Sequence, residues 1–163
     1  MPVQKILQYP HPLLREVCGP VDEIDDEVRI HIRDLVDTMR ASPGVALAAP
    51  QIGVPRRIIA VDVTTRCPGA GLIVLVNPEI VVKGRMKTVR EGCLSIPQYT
   101  ADIRRAETVT VRGLNSEGKE VFIESSGLEA VALQHEVDHL DGILFIDRVE
   151  SIRSLFRRKK PGP

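Results

Sequence analysis

The chain has 163 residues, of which 43% are hydrophobic and 27% charged, and the 22 Lys and Arg residues balance the 22 Asp and Glu residues. This length and composition predict one globular domain with its own core, and zero net charge argues against a surface that coats nucleic acid. The sequence has neither the roughly 20-residue apolar run of a membrane span nor a signal-peptide pattern. We therefore expect a cytoplasmic protein with no membrane partner. The three cysteines, Cys18, Cys67 and Cys93, predict free thiols rather than a disulfide framework, because they are odd in number and widely spaced.

The first predicted element is an amphipathic helix over residues 25–40, where apolar residues recur at helical spacing before Pro43 and Gly44 end the pattern. Residues 44–51 are mostly small and suit a tightly packed loop or short strand. Segments rich in β-branched residues then predict strands at 57–63, 72–76, 79–82, 108–112 and 120–124, with a turn at 115–118. The centre of the chain is therefore predicted to be mostly antiparallel sheet.

A second helix is predicted to begin at Ser126, which together with Glu129 matches the capping-box pattern. It runs through Leu140 and ends at Gly142, whose freedom to adopt a left-handed conformation suits a helix stop. The predicted fold class is α+β, with mostly antiparallel sheets packed around this central helix and a further helix at the C-terminus.

The last 13 residues form a basic tail after a predicted domain at 1–150. The tail is interpreted either as a short basic helix with a frayed, solvated end or as an electrostatic contact with RNA or another acidic surface.

The most informative segment is HEVDH at residues 135–139. Residues four apart on a helix lie on one face, so His135 and His139 can bind one metal ion, while Glu136 can reach a water beside it. A solvated face of ion pairs is the alternative. Apolar neighbours of the motif indicate burial, however, and buried histidines and acids without partners are unfavourable. Asp138 is predicted to be structural and to pair with Arg104 or Arg105.

The third metal ligand is less evident from the residues alone. One zinc-protease pattern requires a downstream histidine where this chain has Phe145, and Glu150 is a poor candidate because it lies outside any long predicted helix. Cys93, in EGCLS at residues 91–95, is the upstream candidate. Taken alone, Cys93 is better explained as a small buried hydrophobic residue than as a metal ligand.

Three segments together resemble the motifs of bacterial-type peptide deformylases. GVALAAPQ at residues 44–51 is similar to their first motif, GxGxAAxQ, while EGCLS at 91–95 and QHEVDH at 134–139 match the second and third. Their order and gaps also agree, and the resemblance extends over nearly the whole chain. One departure is Ala46, which stands where the motif has its second glycine. A methyl group there could crowd a bound peptide or exclude a positive φ.

The resemblance implies a ligand set of Cys93, His135 and His139, with Glu136 as catalytic acid and base. It further implies an α+β fold, Fe²⁺ as the native metal with Zn²⁺, Ni²⁺ or Co²⁺ as substitutes, and removal of the formyl group from N-formylmethionine on nascent polypeptides. Under this interpretation the Gln51 side chain and the Leu94 N–H stabilise an oxyanion, and the tail can contact ribosomal RNA. The residues expected to contact substrate are Gly44, Val45, Ala46, Leu128 and Val131.

Alternatives remain at this stage. Gln51 could merely hydrogen-bond its own loop, and Val45, Leu128 and Val131 could be ordinary core residues. The same ligands also suit a small metallopeptidase, or a non-catalytic ribosome-associated relative that keeps the fold. Glu136 argues against the second, because a purely structural metal site has no use for a general base.

Overall fold

A computed structural model describes residues 3–159 of the chain. Within this range the α-helices are α1 (Asp26–Ala41) and α2 (Gly127–Leu140). The strands are β1 (Ala46–Ala48), β2 (Ile58–Val61), β3 (Ile73–Lys83), β4 (Met86–Cys93), β5 (Ile96–Ala106), β6 (Thr108–Leu114), β7 (Glu120–Ser126) and β8 (Leu155–Arg157). Short 3-10 turns occupy Pro12–Arg15, Ala49–Ile52, Phe145–Arg148 and Ile152–Ser154.

The strands form two antiparallel sheets. The larger sheet has the order β1-β2-β3-β6-β7, and the smaller has the order β4-β5-β8. Helix α2 lies against strands of both sheets, while α1 packs on β1 and β2. This arrangement confirms the predicted α+β class and the central position of the second helix.

Helix α1 forms because its apolar residues fall on one stripe. Val28, Ile32, Leu35 and Met39 are buried in a core shared with β2. The Asp25 carboxylate accepts a hydrogen bond of 2.9 Å from the Val28 N–H and so satisfies one free donor at the helix start. The predicted bounds of this helix agree with the structure to within one residue.

Helix α2 begins and ends where the sequence predicts, but its start is stabilised differently. Ser126 is the N-cap residue, yet its side chain makes no capping hydrogen bond, so the predicted capping box is wrong. The Glu129 carboxylate instead accepts hydrogen bonds from the Ser125 hydroxyl at 2.6 Å and from the Ala70 N–H at 2.8 Å. The helix is followed by Gly142 with φ +71°.

Two sheet features differ from the prediction. Strand β3 continues through Asn77 and Pro78, which were expected to separate two strands. A register shift there and a φ of +52° at Asn77 absorb the irregularity, and the Asn77 side chain pairs with the Val21 backbone. The β4–β5 hairpin was not predicted, because half of the β4 residues are exposed and the strand sequence shows no apolar alternation.

The predicted C-terminal helix is also wrong. Residues Ile152–Ser154 form a single 3-10 turn, and β8 then pairs with β5 in the smaller sheet. The exposed backbone edge of β5 offers hydrogen bonds to an added strand, and Phe156 stacks beneath the Arg90 guanidinium at 3.9 Å. The last residues of the predicted tail, 160–163, lie outside the described part of the chain. No helix among residues 3–159 is long and apolar enough to cross a membrane.

Candidate metal centre and active-site cavity

Helix α2 and strand β4 bring the three predicted metal ligands together. The Nε2 atoms of His135 and His139 are 3.2 Å apart, and the Cys93 Sγ lies 3.3 Å from the Nε2 of His139. All the candidate ligand atoms lie within 4.8 Å of one another, and all three residues are buried. One sulfur and two imidazole nitrogens that face a common point suit Fe²⁺, Zn²⁺ or a related divalent metal.

The turn between β4 and β5 holds Cys93 in position. The sheet register shifts between Gly92 and Cys93, just before this turn. Two donors then approach the sulfur: the Ser95 N–H at 3.4 Å and the Gln51 side-chain amide at 3.6 Å. Both contacts fix the position of the sulfur atom, which binds a metal as a thiolate.

A buried carboxylate orients the first histidine. The Nδ1 of His135 lies 2.5 Å from the Glu91 carboxylate. Since a carboxylate accepts hydrogen bonds, Nδ1 carries the proton and Nε2 is left free to bind a cation. Burial opposes the charge on Glu91, but hydrogen bonds from His135 and Arg105 lower its pKa to about 2.

Arginine side chains compensate the remaining buried charge. Arg105 donates to Glu91 at 2.6 and 3.0 Å and to Asp138 at 2.7 Å. Arg148 donates two further hydrogen bonds to Asp138, at 2.6 and 2.7 Å. Asp138 therefore has the structural partner that the sequence predicts, and this partner is Arg105 rather than Arg104. We call Glu91, Arg105 and Asp138 the buried ion network, and the exposed Arg148 contacts it from the surface.

The second histidine is in a different environment. Burial lowers the pKa of His139, and the nearby positive charges of His135 and Arg105 lower it further. For His135, burial also acts to lower the pKa, but Cys93 and Glu91 raise it on balance. His139 is therefore a neutral imidazole, as metal binding requires, and the negative groups around His135 favour a cation there.

Glu136 has the properties of a general base. It is 3% exposed and lines a cavity beside the ligand set. One of its carboxylate oxygens has no hydrogen-bond partner among residues 3–159. Burial raises the pKa of Glu136 to about 7, which lies in the range where a carboxylate both accepts and returns protons near neutral pH.

Two hydrogen-bond donors face the same region. The Gln51 side-chain oxygen accepts from the Ala48 N–H at 2.9 Å, which fixes its amide group so that Nε2 donates to Ser95 Oγ at 3.0 Å and faces Cys93. Gln51 thus does more than bond its own loop. The N–H of Leu94, in the β4–β5 turn, has no acceptor among residues 3–159.

A cavity of about 350 Å³ joins these groups. It is lined by Gln51, Cys93, Leu94, His135 and Glu136. All five residues expected to contact substrate line it as well, namely Gly44, Val45, Ala46, Leu128 and Val131. His139 is almost fully buried behind the cavity wall. The structure therefore brings every sequence-predicted site residue to one place.

Ala46 fits the backbone without strain. It lies in β1 opposite Val61, and the only non-glycine residue with positive φ in the described chain is Asn77. The concern that a methyl group excludes a positive φ at this position is therefore wrong. Its methyl group does lie at the cavity wall.

Several functional residues were missed by sequence reasoning. Glu91 could have been sought, because a metal-binding histidine commonly donates its second N–H to a carboxylate. Arg105 was predicted as a partner of Asp138, but its contact with Glu91 was not. Nothing in the sequence pattern singled out Arg148 or Ser95. Phe145, at the position of the protease pattern's third histidine, stacks against His135 with ring centroids 6.4 Å apart.

Comparisons of sequence and of structure both find similarity to peptide deformylases. The sequence profile of the polypeptide deformylase family matches residues 3–154. A peptide deformylase from Thermodesulfovibrio yellowstonii is 44% identical over 160 residues, covering 98% of this chain and 97% of that protein. The crystal structure of a peptide deformylase from Legionella pneumophila matches with a TM-score of 0.87 and 42% identity, covering 93% of this chain and 89% of that chain. A Met-Ala-Ser-bound peptide deformylase from Acinetobacter baumannii matches with a TM-score of 0.85 and 32% identity, covering 91% of this chain and 99% of that chain.

Proposed function

Because this chain belongs to the peptide deformylase family, we propose that it hydrolyses the formyl group from N-formylmethionine on nascent polypeptides and releases formate. One observation carries the proposal: a Cys93, His135 and His139 donor set adjoins the unpartnered carboxylate of Glu136 in one cavity. Since nascent bacterial chains emerge into the cytoplasm, we place the reaction there.

Cys93, His135 and His139 would hold the metal, and the proposed native ion is Fe²⁺. A bound divalent cation supplies Lewis acidity, which lowers the pKa of water and polarises a carbonyl group. A thiolate with two imidazoles also suits Zn²⁺, Ni²⁺ and Co²⁺, so these ions are expected to substitute. The Glu91 hydrogen bond supports this role by holding the His135 ring in one tautomer.

Glu136 moves the proton in this mechanism. Its free carboxylate oxygen accepts a proton from the attacking water and then delivers that proton to the departing amine as the tetrahedral intermediate collapses. The proton taken up in the first step is the one released in the second, so Glu136 ends each cycle ionised. Its raised pKa makes both steps accessible near neutral pH.

Gln51 and Leu94 would stabilise the oxyanion. The amide nitrogen of Gln51 has one hydrogen directed at Ser95 and a second near the Cys93 sulfur. We assign the second hydrogen to the formyl oxygen as negative charge develops there, with the Leu94 N–H as a further donor. Removal of one such donor commonly lowers kcat by about 10²–10³.

The methionine side chain would occupy the apolar part of the cavity. Val45, Leu128 and Val131 supply apolar side chains at its wall, and Gly44 and Ala46 leave room for the substrate backbone. Binding of Met-Ala-Ser to the Acinetobacter baumannii relative supports a methionyl peptide as the ligand class.

We assign the chemistry to residues 1–150 and treat 151–163 as a basic tail that can also contact the ribosome. Arg153 and Lys159 are exposed, so they are available to phosphate groups. Replacing both by Gln should weaken co-sedimentation with ribosomes and reduce its salt dependence. Unchanged co-sedimentation would refute this role.

The principal experiment measures formate release from formyl-Met-Ala-Ser by enzyme that is purified without oxygen and loaded with Fe²⁺. Glu136→Gln removes the base and keeps the side-chain shape, so kcat should fall by about 10²–10⁴ while metal content stays near one equivalent. Glu27→Gln, an exposed change on α1, is the matched control and should leave kcat unchanged.

Three outcomes would contradict the proposal. Full activity in Glu136→Gln would remove Glu136 from the mechanism. Cleavage of unformylated peptides at a similar rate would indicate a metallopeptidase instead. Binding of ribosomes without formate release from metal-loaded enzyme would indicate the non-catalytic relative.

The iron assignment has a separate test. A ferrous ion beside the Cys93 thiolate should make activity sensitive to peroxide, through oxidation of the metal or of the sulfur, whereas the zinc-loaded enzyme should resist longer. Retention of full activity by iron-loaded enzyme after prolonged peroxide exposure would contradict it.

A further inference from the structure

The mouth of the cavity carries more positive charge than its buried end. Arg66, Arg90 and Arg158 line the cavity together with two acids, Glu91 and Glu136. The acids are both buried, and Glu91 is already paired with Arg105 and His135. The charged groups that an entering ligand meets first are therefore arginines.

Arg158 reaches this position because the C-terminal segment adds a strand to the smaller sheet. Phe156 pairs with Thr100, and the Arg158 N–H then donates to the Gln98 carbonyl at 2.7 Å. The Arg158 guanidinium occupies the space over Gly92 where a side-chain Cβ would otherwise lie. Gly92 directly precedes Cys93, so the tail brings a cation to the residue next to a proposed metal ligand.

The three arginines differ in how far their charge is compensated. Arg90 pairs with Asp102 at 2.6 Å and stacks on Phe156. Arg66 pairs with no carboxylate of residues 3–159, but its guanidinium donates to the Pro43 carbonyl at 3.1 Å. Arg158 forms no ion pair with any carboxylate of residues 3–159, and its side chain is exposed at the mouth. A guanidinium in this state is suited to a carboxylate brought by a ligand.

We propose that Arg158 binds a carboxylate of the substrate peptide, so that the enzyme favours Asp or Glu a few residues after formylmethionine. The proposal rests on the proposed function. An extended peptide advances about 3.3 Å per residue, so a chain whose formyl group lies at Cys93, His135 and His139 would place the residues that follow formylmethionine progressively nearer the mouth. Because Arg158 lines the substrate cavity, we expect its ligand to be a peptide carboxylate rather than an RNA phosphate.

The experiment compares formyl-Met-Ala-Glu-amide and formyl-Met-Ala-Gln-amide, and the same pair extended by one alanine before the variable residue. C-terminal amides remove the terminal carboxylate. We expect kcat/KM of the wild-type, metal-loaded enzyme to be about two- to fivefold higher for a Glu peptide at low salt, the size typical of an exposed ion pair. The preference should decline as salt is raised.

Substitutions then assign the preference to one side chain. In Arg158→Gln the Glu and Gln peptides should become equivalent, and Arg158→Glu should instead favour a Lys peptide. Arg157→Gln, at the neighbouring exposed arginine that does not line the cavity, is the matched control and should keep the wild-type preference.

The outcomes separate this proposal from the proposed function. Equal rates for the Glu and Gln peptides in wild-type enzyme, or a Glu preference that survives Arg158→Gln, would overturn the role of Arg158 and leave deformylation intact. Loss of ribosome co-sedimentation in Arg158→Gln without any change in peptide preference would assign Arg158 to RNA and also overturn it. No formate from any peptide would contradict the proposed function itself.

Discussion

Helices α1 and α2 are of similar length but bury different chemistry. Helix α1 buries an apolar stripe of Val28, Ile32, Leu35 and Met39, with Thr38 beside it, and its charged residues are outside the core. Helix α2 buries eleven of its fourteen residues. These include Glu129, Gln134, His135, Glu136, Asp138 and His139, so polar groups are at the centre of the molecule.

The difference shows what each helix needs from the rest of the chain. Burial of apolar surface is sufficient to stabilise α1 on its sheet. The polar residues of α2 require partners, and β4 and β5 supply them through Glu91 and Arg105. Helix α2 is therefore stable only together with the buried ion network.

Arg105→Met should give the largest loss of stability. It leaves Glu91 and Asp138 buried without their common partner, and breaking a buried ion pair typically costs about 3–5 kcal/mol in the free energy of unfolding. Chemical denaturation measures this loss. We also expect weaker metal binding, because Glu91 would no longer be held against His135.

Leu35→Ala on α1 is the comparison for that variant. It should lose a similar amount of stability, about 2–5 kcal/mol, yet its folded fraction should keep full metal content and kcat. Equal loss of metal affinity in both variants would show that the two helices do not differ in the proposed way.

Lowering the pH should reduce the free energy of unfolding, because protonation of Glu91 weakens its contact with His135 of α2. Its pKa is lowered from 4.5 to about 2 in the folded protein, so its contribution is present above pH 4.5 and is lost as pH falls toward 2. The difference corresponds to roughly 3 kcal/mol at most. Denaturation of metal-free protein between pH 2 and 4.5 should show a shallower pH dependence in Glu91→Gln than in wild type. Glu27→Gln on α1 should keep the wild-type slope of stability against pH. An unchanged slope in Glu91→Gln would show that Glu91 does not cause this pH dependence.

Ala46→Gly should have the smallest effect. Because Ala46 adopts ordinary strand geometry, glycine there should lower stability by about 0.5–1 kcal/mol through added freedom of the unfolded chain. We expect kcat/KM for formyl-Met-Ala-Ser to change less than about threefold. A gain of tenfold or more would show that the Ala46 methyl group obstructs the substrate.

The comparison of the helices also explains what the sequence could predict. The bounds of α1 follow from its apolar period, and the two histidine ligands were predicted from HEVDH. Cys93 was added only because three segments together resemble the motifs of peptide deformylases. Glu129 was assigned to a capping box with Ser126, but its carboxylate bonds to Ser125 and Ala70 instead. The Ala70 contact depends on tertiary structure and has no signal in local sequence.

The smaller sheet was the least predictable part. Half of the residues of strand β4 are exposed, and its sequence lacks the alternation that marks a half-buried strand. The tail was predicted as a helix because its basic and apolar residues suit one, but pairing of Leu155 with Ala101 and of Phe156 with Thr100 favours a strand. Both errors arise because strand pairing joins residues far apart in sequence.

Two segments far apart in the chain meet beside the hairpin that carries Cys93. The Tyr9 N–H donates to the Ser95 carbonyl at 2.9 Å, and the Arg158 N–H donates to Gln98. A bulky label attached at Tyr9 or at Arg158 would therefore lie close to the residues around Cys93. The turn between β6 and β7, whose flanking strands contribute nothing to the cavity, is a better place to attach a label or to immobilise the enzyme.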